Sequence, residues 1–339
     1  PHQNTIFSIN FIQNEVQYSY RVEFNKRYVV KEELDFYKPN KANVFTRTTD
    51  EEKQLTEITF GSKIKADKAF ENALTANTLW NNTVLGGFLK TNIDIKEIKE
   101  AADWFGTYLQ PLIGPKIDLT NYTITNINSS DLKKEVVVSI LKKADLNISD
   151  IKIDKEEKEI SDDIIASLEK QNVPAQFISQ LKKERKITSL DFSLQHSHNN
   201  NFYYLPFKSE SEGTRRYFGL AGILTALIKI SSAISIDELE SSLHPDLYIH
   251  FLLSFLVNAK KSQLIATTHN REILNNKDLF RNDAIWFTDK SATGATELYS
   301  LADFDTSVIR DTSNVYNAYK IGKLGGVPNL GDYYIDLEK

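Results

Sequence analysis

The sequence of 339 residues predicts an α/β protein with an antiparallel β region at its start, and three patterns carry that expectation. Apolar residues alternate with period two near the N-terminus and recur at helical spacing through two long middle stretches. Two short apolar runs nearer the C-terminus end on Asp237-Glu238 and on Thr267-Thr268-His269. Composition suits a packed core: 41% of residues are hydrophobic and 26% charged, with only 13 Gly and 8 Pro. That balance excludes a disordered, collagen-like or disulfide-stapled chain, and the length allows about two domains. The net charge of −5 leaves no whole-protein basic field for nucleic acid, only room for a local patch. No apolar run approaches the roughly 20 residues that span a bilayer. Pro1-His2-Gln3-Asn4 does not read as a signal peptide, so a cytoplasmic location and no membrane partner are expected. The absence of Cys removes disulfides, thiolate zinc sites and a cysteine nucleophile. The absence of Met, initiator included, implies processing, truncation or a modified methionine missing from the written sequence.

The first elements read as a meander. Phe7, Ile9 and Phe11 alternate with polar residues, Val16, Tyr18, Tyr20, Val22 and Phe24 continue, and Tyr28 and Val30 open a third run. Polar breaks at Gln13-Asn14 and Asn25-Lys26 suit hairpin turns. Residues 40–65 read as a polar loop with one more short strand. From 66 to 113 the spacing is helical, with Ala66, Phe70, Ala73 and Leu74 on one face and Ile98, Ala101, Ala102, Phe105 and Leu109 on another. Residues 129–186 read as an inserted helical arm. Ser129-Ser130-Asp131 would cap a helix through Val136, Val137, Ile140 and Leu141. A second helical stretch, Asp162 to Lys186, is interrupted by Val173-Pro174 and ends in the charged run Lys182 to Lys186, a solvated helix face. Strands return at Ile187 to Gln195 and Phe202 to Phe207, joined by a turn at Asn199-Asn200-Asn201.

Four segments then follow in order. Ser211-Glu212-Gly213-Thr214-Arg215-Arg216 precedes a helix whose apolar face is Phe218, Ala221, Leu224 and Ile228. A hydroxyl residue and a glycine at a helix start leave free N–H groups where the helix dipole is positive, a setting suited to phosphate. A plain N-cap explains the same residues. Ala233 to Glu238 is a β-type run ending in two acids, at the edge where α/β sheets bind ligands. Asp237 is placed to hold Mg2+, directly or through water. Glu238 is placed to orient or deprotonate a water, work worth about 10²–10⁴-fold. A strand followed by a capped helix is the bland alternative. Next, Glu240-Ser241-Ser242-Leu243-His244-Pro245 leads into a helix from Leu247 to Val257, and capping alone accounts for Pro245. Last, Gln263 to Asn270 is an apolar strand, two threonines and a histidine able to reach a phosphate, although an isolated histidine is more often a surface loop residue. His196-x-His198 has no companion carboxylate motif, so a metal-only hydrolase is not expected.

In combination this order resembles ABC-type ATPases: signature loop, acidic strand, D-loop and switch histidine. Ser211-Glu212-Gly213-Thr214, Ile236 to Pro245 and Thr267-Thr268-His269 look most like the ABC-like group of bacterial AAA-family ATPases, relatives of RecF, SMC and the OLD ATPases. Tyr18-Ser19-Tyr20, Glu32-Glu33-Leu34, Asn77-Thr78-Leu79-Trp80 and the tail from Tyr319 to Pro328 are similar to the same group. The resemblance implies an ABC-type ATPase head, a P-loop NTPase-like sheet with an antiparallel β subdomain and a helical insertion. It divides the chain into residues 1–128 and 187–339, the two parts of the head, and 129–186, the arm. By resemblance Asp237 is the Walker B magnesium residue, Glu238 the catalytic glutamate and His269 the switch. Ser211, Gly213 and Thr214 would contact the nucleotide held by the opposite subunit, and Ser242 and His244 would lie in the D-loop at the dimer seam.

The implied cofactors are ATP and Mg2+, and the implied assembly is a homodimer sandwiching nucleotide. Members of the group act in phage defence or abortive infection with a nuclease or toxin effector. One departure stands out: no Gly-Lys-Ser/Thr loop occurs, and Gly322-Lys323 runs into Leu324-Gly325-Gly326, downstream of the histidine. The expectation is therefore that the chain as written begins after its Walker A segment. Two other readings remain at this stage. One is a DNA-repair type ATPase whose Lys182 to Lys186 cluster contacts phosphates; the other is a non-hydrolysing scaffold. A transporter subunit fits less well, given the insertion and Ser242-Leu243-His244-Pro245.

Overall fold

The computed structural model describes residues 3–170, 175–199, 201–276, 279–305, 315–328 and 330. Val173-Pro174, the expected break in the second arm helix, lies outside the described residues. The chain divides into two compact units, Pro1–Pro111 with Ser232–Ile234, and Leu112–Ser231 with Ser235–Lys339. No helix among the described residues is long and apolar enough to cross a membrane.

The first unit is built on a five-stranded antiparallel meander in sequence order: β1 (Thr5–Gln13), β2 (Val16–Phe24), β3 (Val29–Tyr37), β4 (Lys41–Asp50) and β5 (Leu55–Phe60). Asn14 and Glu15, both at positive φ, form the two-residue turn that matches the twist of β1 and β2. In β3 the expected phase holds from Glu32 on, where Glu32, Leu34 and Phe36 are buried. It slips only at the start, where Val29 is buried and Val30 half-buried, because a register shift at Glu23/Phe24 leaves Val30 as an extra residue in the strand. Residues 40–65 hold two strands rather than one. Their inward positions include Arg47 and Thr56, so alternation of apolar residues could not reveal them.

Arg47 and Glu32 face each other across β3 and β4 and are both fully buried. Arg47 donates to the carbonyls of Val29 and Trp80. Glu32 accepts from the Tyr20 hydroxyl at 2.9 Å and from the Val84 N–H at 2.8 Å. Three short helices follow: α1 (Lys68–Asn77), α2 (Val84–Phe88) and α3 (Lys96–Asp103), the last continued by one π-turn over Trp104–Tyr108. Val84 opens α2, so Glu32 satisfies one of the helix's free N–H groups where the dipole favours an anion. Trp104 stacks on Phe11, at 4.4 Å between ring centroids, which ties the helices to the sheet.

The second unit begins with α4 (Thr120–Asn128) and α5 (Lys134–Lys143). Ser129-Ser130-Asp131 does not cap α5: the residue before that helix is Lys133, Ser129 terminates α4, and Ser130 sits at positive φ between them. α5 buries Val137, Val138, Ile140 and Leu141 rather than Val136. The expected all-helical arm is mixed. β6 (Ile148–Glu159) precedes α6 (Asp162–Glu169) and α7 (Ala175–Glu184), and β6 pairs antiparallel with β7 (Lys186–His198), which pairs with β8 (Asn201–Pro206). The period-two run Asp150 to Asp154 marks β6. Beyond it Lys155, Glu157 and Glu159 are exposed, and Glu157 meets Lys186 at 2.9 Å.

α8 (Glu212–Lys229) then packs on α4 and α5. Gly222 permits the close crossing, since a Cβ there would sit 2.1 Å from the Thr123 hydroxyl. Beyond it come β9 (Ala233–Ile236), α9 (Pro245–Asn258), β10 (Gln263–Ala266), the hairpin β11 (Trp286–Lys290) and β12 (Thr296–Ser300), and α10 (Val315–Lys320). β9 pairs with β10, and Ile113 makes a parallel bridge to Ile236. The tail packs Leu324 against Phe287 and Leu301. The Tyr299 hydroxyl donates to the Leu324 carbonyl and the Tyr319 hydroxyl to that of Gly326, so Gly322 to Gly326 is a structural turn.

Burial pushes Glu32 up to about 7 against the opposing charge of Arg47. Its folded value lies above its unfolded one, so the stabilisation from proton uptake is complete below about 4.5 and is lost as pH rises through 7. The unfolding free energy of the native chain minus that of Glu32→Gln should therefore fall by up to about 3 kcal/mol between pH 4.5 and pH 8 in urea titrations. A difference independent of pH would contradict it.

Candidate functional site

The acidic strand end and the threonine-histidine strand end lie side by side. The Thr267 N–H donates to the Ile236 carbonyl at 3.0 Å, and the Leu239 N–H donates to the Thr267 carbonyl at 3.1 Å, so β9 and β10 run the same way. On β9's other side the Asp237 N–H donates to the Ile113 carbonyl at 2.8 Å. A single hydroxyl joins the two ends. Thr267 Oγ1 accepts the Glu238 N–H at 2.9 Å and donates to Asp237 Oδ1 at 2.5 Å. Glu238 has φ 45°, a left-handed conformation that costs a glutamate on the order of 1 kcal/mol and is held by this bonding. The turn carries the Glu238 carboxylate to 3.6 Å from His269 Nε2. Asp237, Glu238 and His269 thus meet at one edge, with the histidine side chain 87% exposed.

Two groups that sequence reasoning did not single out support this edge. Glu240 Oε1 accepts the backbone N–H of His269 at 2.7 Å. Tyr248, buried on α9, hydrogen-bonds the Thr268 side chain, and its hydroxyl is pushed up to about 12 by burial and by the Glu240 charge. Neither carries a local sequence signal, since Glu240 reaches His269 across 29 positions and Tyr248 acts from α9.

Ser211 does cap α8, and the helix begins at Glu212, inside the expected segment rather than after Arg216. Ser211 Oγ accepts the Thr214 N–H at 3.1 Å and lies 2.9 Å from the Thr214 hydroxyl. Ser242, at φ 64°, donates from its hydroxyl to Glu212 Oε1 at 2.9 Å. A Cβ on Gly213 would sit 2.9 Å from the Ser242 carbonyl, which is what requires glycine there. Ser211, Gly213, Thr214 and Ser242 therefore form one cluster. His244 is the N-cap of α9, its Nδ1 accepting the Asp246 N–H at 3.3 Å, and Pro245 takes the first helical position. Further along the same helices the Tyr217 hydroxyl and His250 Nδ1 share a hydrogen bond at 2.5 Å.

His196 does have a carboxylate companion, Glu210, at 2.7 Å from Nε2, just ahead of Ser211. Among the described residues no group of three or more metal-ligating side chains gathers. The oxygens at Asp237 suit Mg2+ even so, because that ion commonly takes one or two carboxylates and completes its shell with water and phosphate. A glycine-rich phosphate cradle is not among the described residues, since Gly322 to Gly326 is occupied by tyrosine hydroxyls. The donor set fits the metal end of a nucleotide site and not, by itself, the whole phosphate chain. In the basic run, Lys182 meets Glu169 at 2.6 Å, Arg185 meets Asp162 at 3.1 Å and Lys186 meets Glu157 at 2.9 Å. Local acids thus match three of its cations.

Two stability measurements test this geometry. Burial, with the Lys143 charge adding to it, holds His250 below the usual imidazole value. Its folded value is below its unfolded one, so the stabilisation is present above about 6.5 and lost as pH falls below that. The native chain should lose unfolding free energy between pH 7.5 and pH 5.5 relative to His250→Gln; equal slopes would contradict it. Glu238→Gly should unfold no more easily than the native chain, and up to about 1 kcal/mol less easily, because glycine adopts this backbone without strain. A marked loss in thermal unfolding would show that the backbone there is relaxed.

Residues 1–275 match the family model described as an AAA domain, putative AbiEii toxin, Type IV TA system. No curated protein matches the chain. Among solved structures it is similar to an SMC head domain from Thermotoga maritima, with 11% identity, a TM-score of 0.37, and 84% of this chain and 74% of that one covered. An SmcHead bound to the C-winged helix domain of ScpA gives 10% identity and a TM-score of 0.40, over 80% of this chain and 75% of that one. A Smc head domain with an extended coiled coil, bound to the C-terminal domain of ScpA derived from Pyrococcus furiosus, gives 12% and 0.30, over 89% and 81%. TM-scores of this size leave the assignment to the family match. With that match running over most of its length and the paired strand ends inside it, the chain belongs to this AAA-domain family.

Proposed function

We propose that the protein binds and hydrolyses ATP with Mg2+ and acts as a dimeric switch. The observation that carries this reading is the meeting of Asp237, Glu238 and His269 at one edge through Thr267. Asp237 would hold Mg2+, directly or through water; when bound, the ion neutralises phosphate charge that these carboxylates would otherwise repel. Glu238 orients an attacking water and takes its proton. His269 reaches the terminal phosphate and steadies that water. The start of α8, around Ser211, Gly213 and Thr214, faces the nucleotide of a second copy, where the helix dipole favours an anion. Ser242 and His244 sit at the seam between the copies.

The family's description, a putative toxin of a type IV toxin–antitoxin system, supports a role in abortive infection, with the ATPase governing an effector protein. In the full-length native protein, Glu238→Gln should lower ATP turnover about 10²–10⁴-fold. It should retain ATP and shift the protein to dimer in light scattering with ATP and Mg2+. Unchanged turnover in that variant would defeat the reading.

A further inference from the structure

We propose that Glu240 is a positioning residue for His269, holding the histidine backbone so that the imidazole stays beside Glu238. The inference rests on the hydrolytic reading of the same site and deepens it. His269 is barely held by its own side chain: the ring is 87% exposed and lies 3.6 Å from a Glu238 carboxylate that is itself 43% exposed. A pair so open to water contributes little to order. The backbone is held instead. The His269 N–H donates to Glu240 Oε1 at 2.7 Å, a charge-assisted bond, and the next-but-one residue back, Thr267, is tied to Ile236, Glu238 and Leu239.

Glu240 is also committed to this task at a cost. Its second oxygen, Oε2, is buried with no hydrogen-bond partner, so the carboxylate is not placed for its own solvation. Its charge also reaches the Tyr248 hydroxyl, whose pKa is raised by burial and further by that charge. Loss of Glu240 would leave the His269 Cα free to move while the Asp237–Thr267–Glu238 bonding remained. A shift of the imidazole by about an ångström is enough to cost on the order of a hundredfold in a reaction that depends on near-attack geometry.

The test compares Glu240→Gln and Glu240→Leu in the full-length protein, with thermal unfolding to establish that each is folded. Glutamine keeps a carbonyl oxygen for the His269 N–H; leucine keeps the bulk and removes the acceptor. Hydrogen exchange without nucleotide is read first. The His269 amide should exchange about tenfold or more faster in Glu240→Leu, with the Leu239 and Thr267 amides unmoved, and should stay near native in Glu240→Gln. ATP turnover is read next, with kcat falling about tenfold to a hundredfold in Glu240→Leu while KM for ATP holds and glutamine restores most of the rate. Equal His269 exchange in all three proteins would overturn the proposal, as would native kcat in a Glu240→Leu protein whose His269 amide has been released. If the amide is released but the native protein shows no turnover, the positioning stands and the hydrolytic reading fails.

Discussion

The site depends on one hydroxyl. Thr267 Oγ1 has a single proton to give and lone pairs to offer, and it uses both, donating to Asp237 and accepting from the Glu238 backbone. Serving both neighbours forces the chain after β9 to turn sharply, which is why Glu238 stands at φ 45°. The turn has two consequences. It returns the Leu239 N–H to the Thr267 carbonyl, closing the end of the two-strand sheet, and it throws the Glu238 carboxylate toward His269. Replacing the hydroxyl by a methyl would remove both bonds and keep the branched shape, so the threonine is chosen for its hydroxyl rather than its shape.

The helix starts at Ser211 and His244 are joined as firmly as the strand ends. α8 and α9 are linked near their first residues by Glu212 and Ser242, and a turn and a half further along by Tyr217 and His250. Two hydrogen bonds at different heights fix both the separation and the rotation of a helix pair, where a single bond would leave a pivot. The two elements that would face a second copy therefore behave as one body. The segment from Glu238 to His244 is tied to the N-terminus of α8 by the Ser242 hydroxyl on Glu212, and the Ser242 carbonyl leaves no room for a Cβ on Gly213.

What the sequence revealed, and what it hid, divides along the same physical line. Period-two alternation exposed β1 and β2 because their inward residues, Phe11, Tyr18, Tyr20 and Val22, are apolar or aromatic. It failed on β4 and β5, where Arg47 and Thr56 point inward, and on β6, where the Lys155 to Glu159 run obscures the alternation. Glu32 lies in a segment that resembled the family and Arg47 in the stretch read as a polar loop with one short strand, yet nothing local marks them as a buried pair, since that follows only from the pairing of β3 with β4. Likewise Asp237, Glu238 and His269 were legible as strand-end chemistry. The roles of Thr267 and Glu240 were not, because they consist of bonds across about 30 residues of intervening chain.

The openness of the edge bears on how such a site can be controlled. A carboxylate and a protonated imidazole at the Glu238–His269 spacing would attract by only about 1 kcal/mol in bulk water, and several-fold more once water is excluded. In the chain by itself, therefore, backbone hydrogen bonds keep these groups in place while their mutual attraction is weak. A surface that covered the edge would strengthen that attraction without having to rearrange the groups first, because Thr267 and Glu240 have already set their positions. The arrangement is preorganised but screened. Exclusion of water, rather than assembly of the residues, becomes the step at which a second copy would exert control.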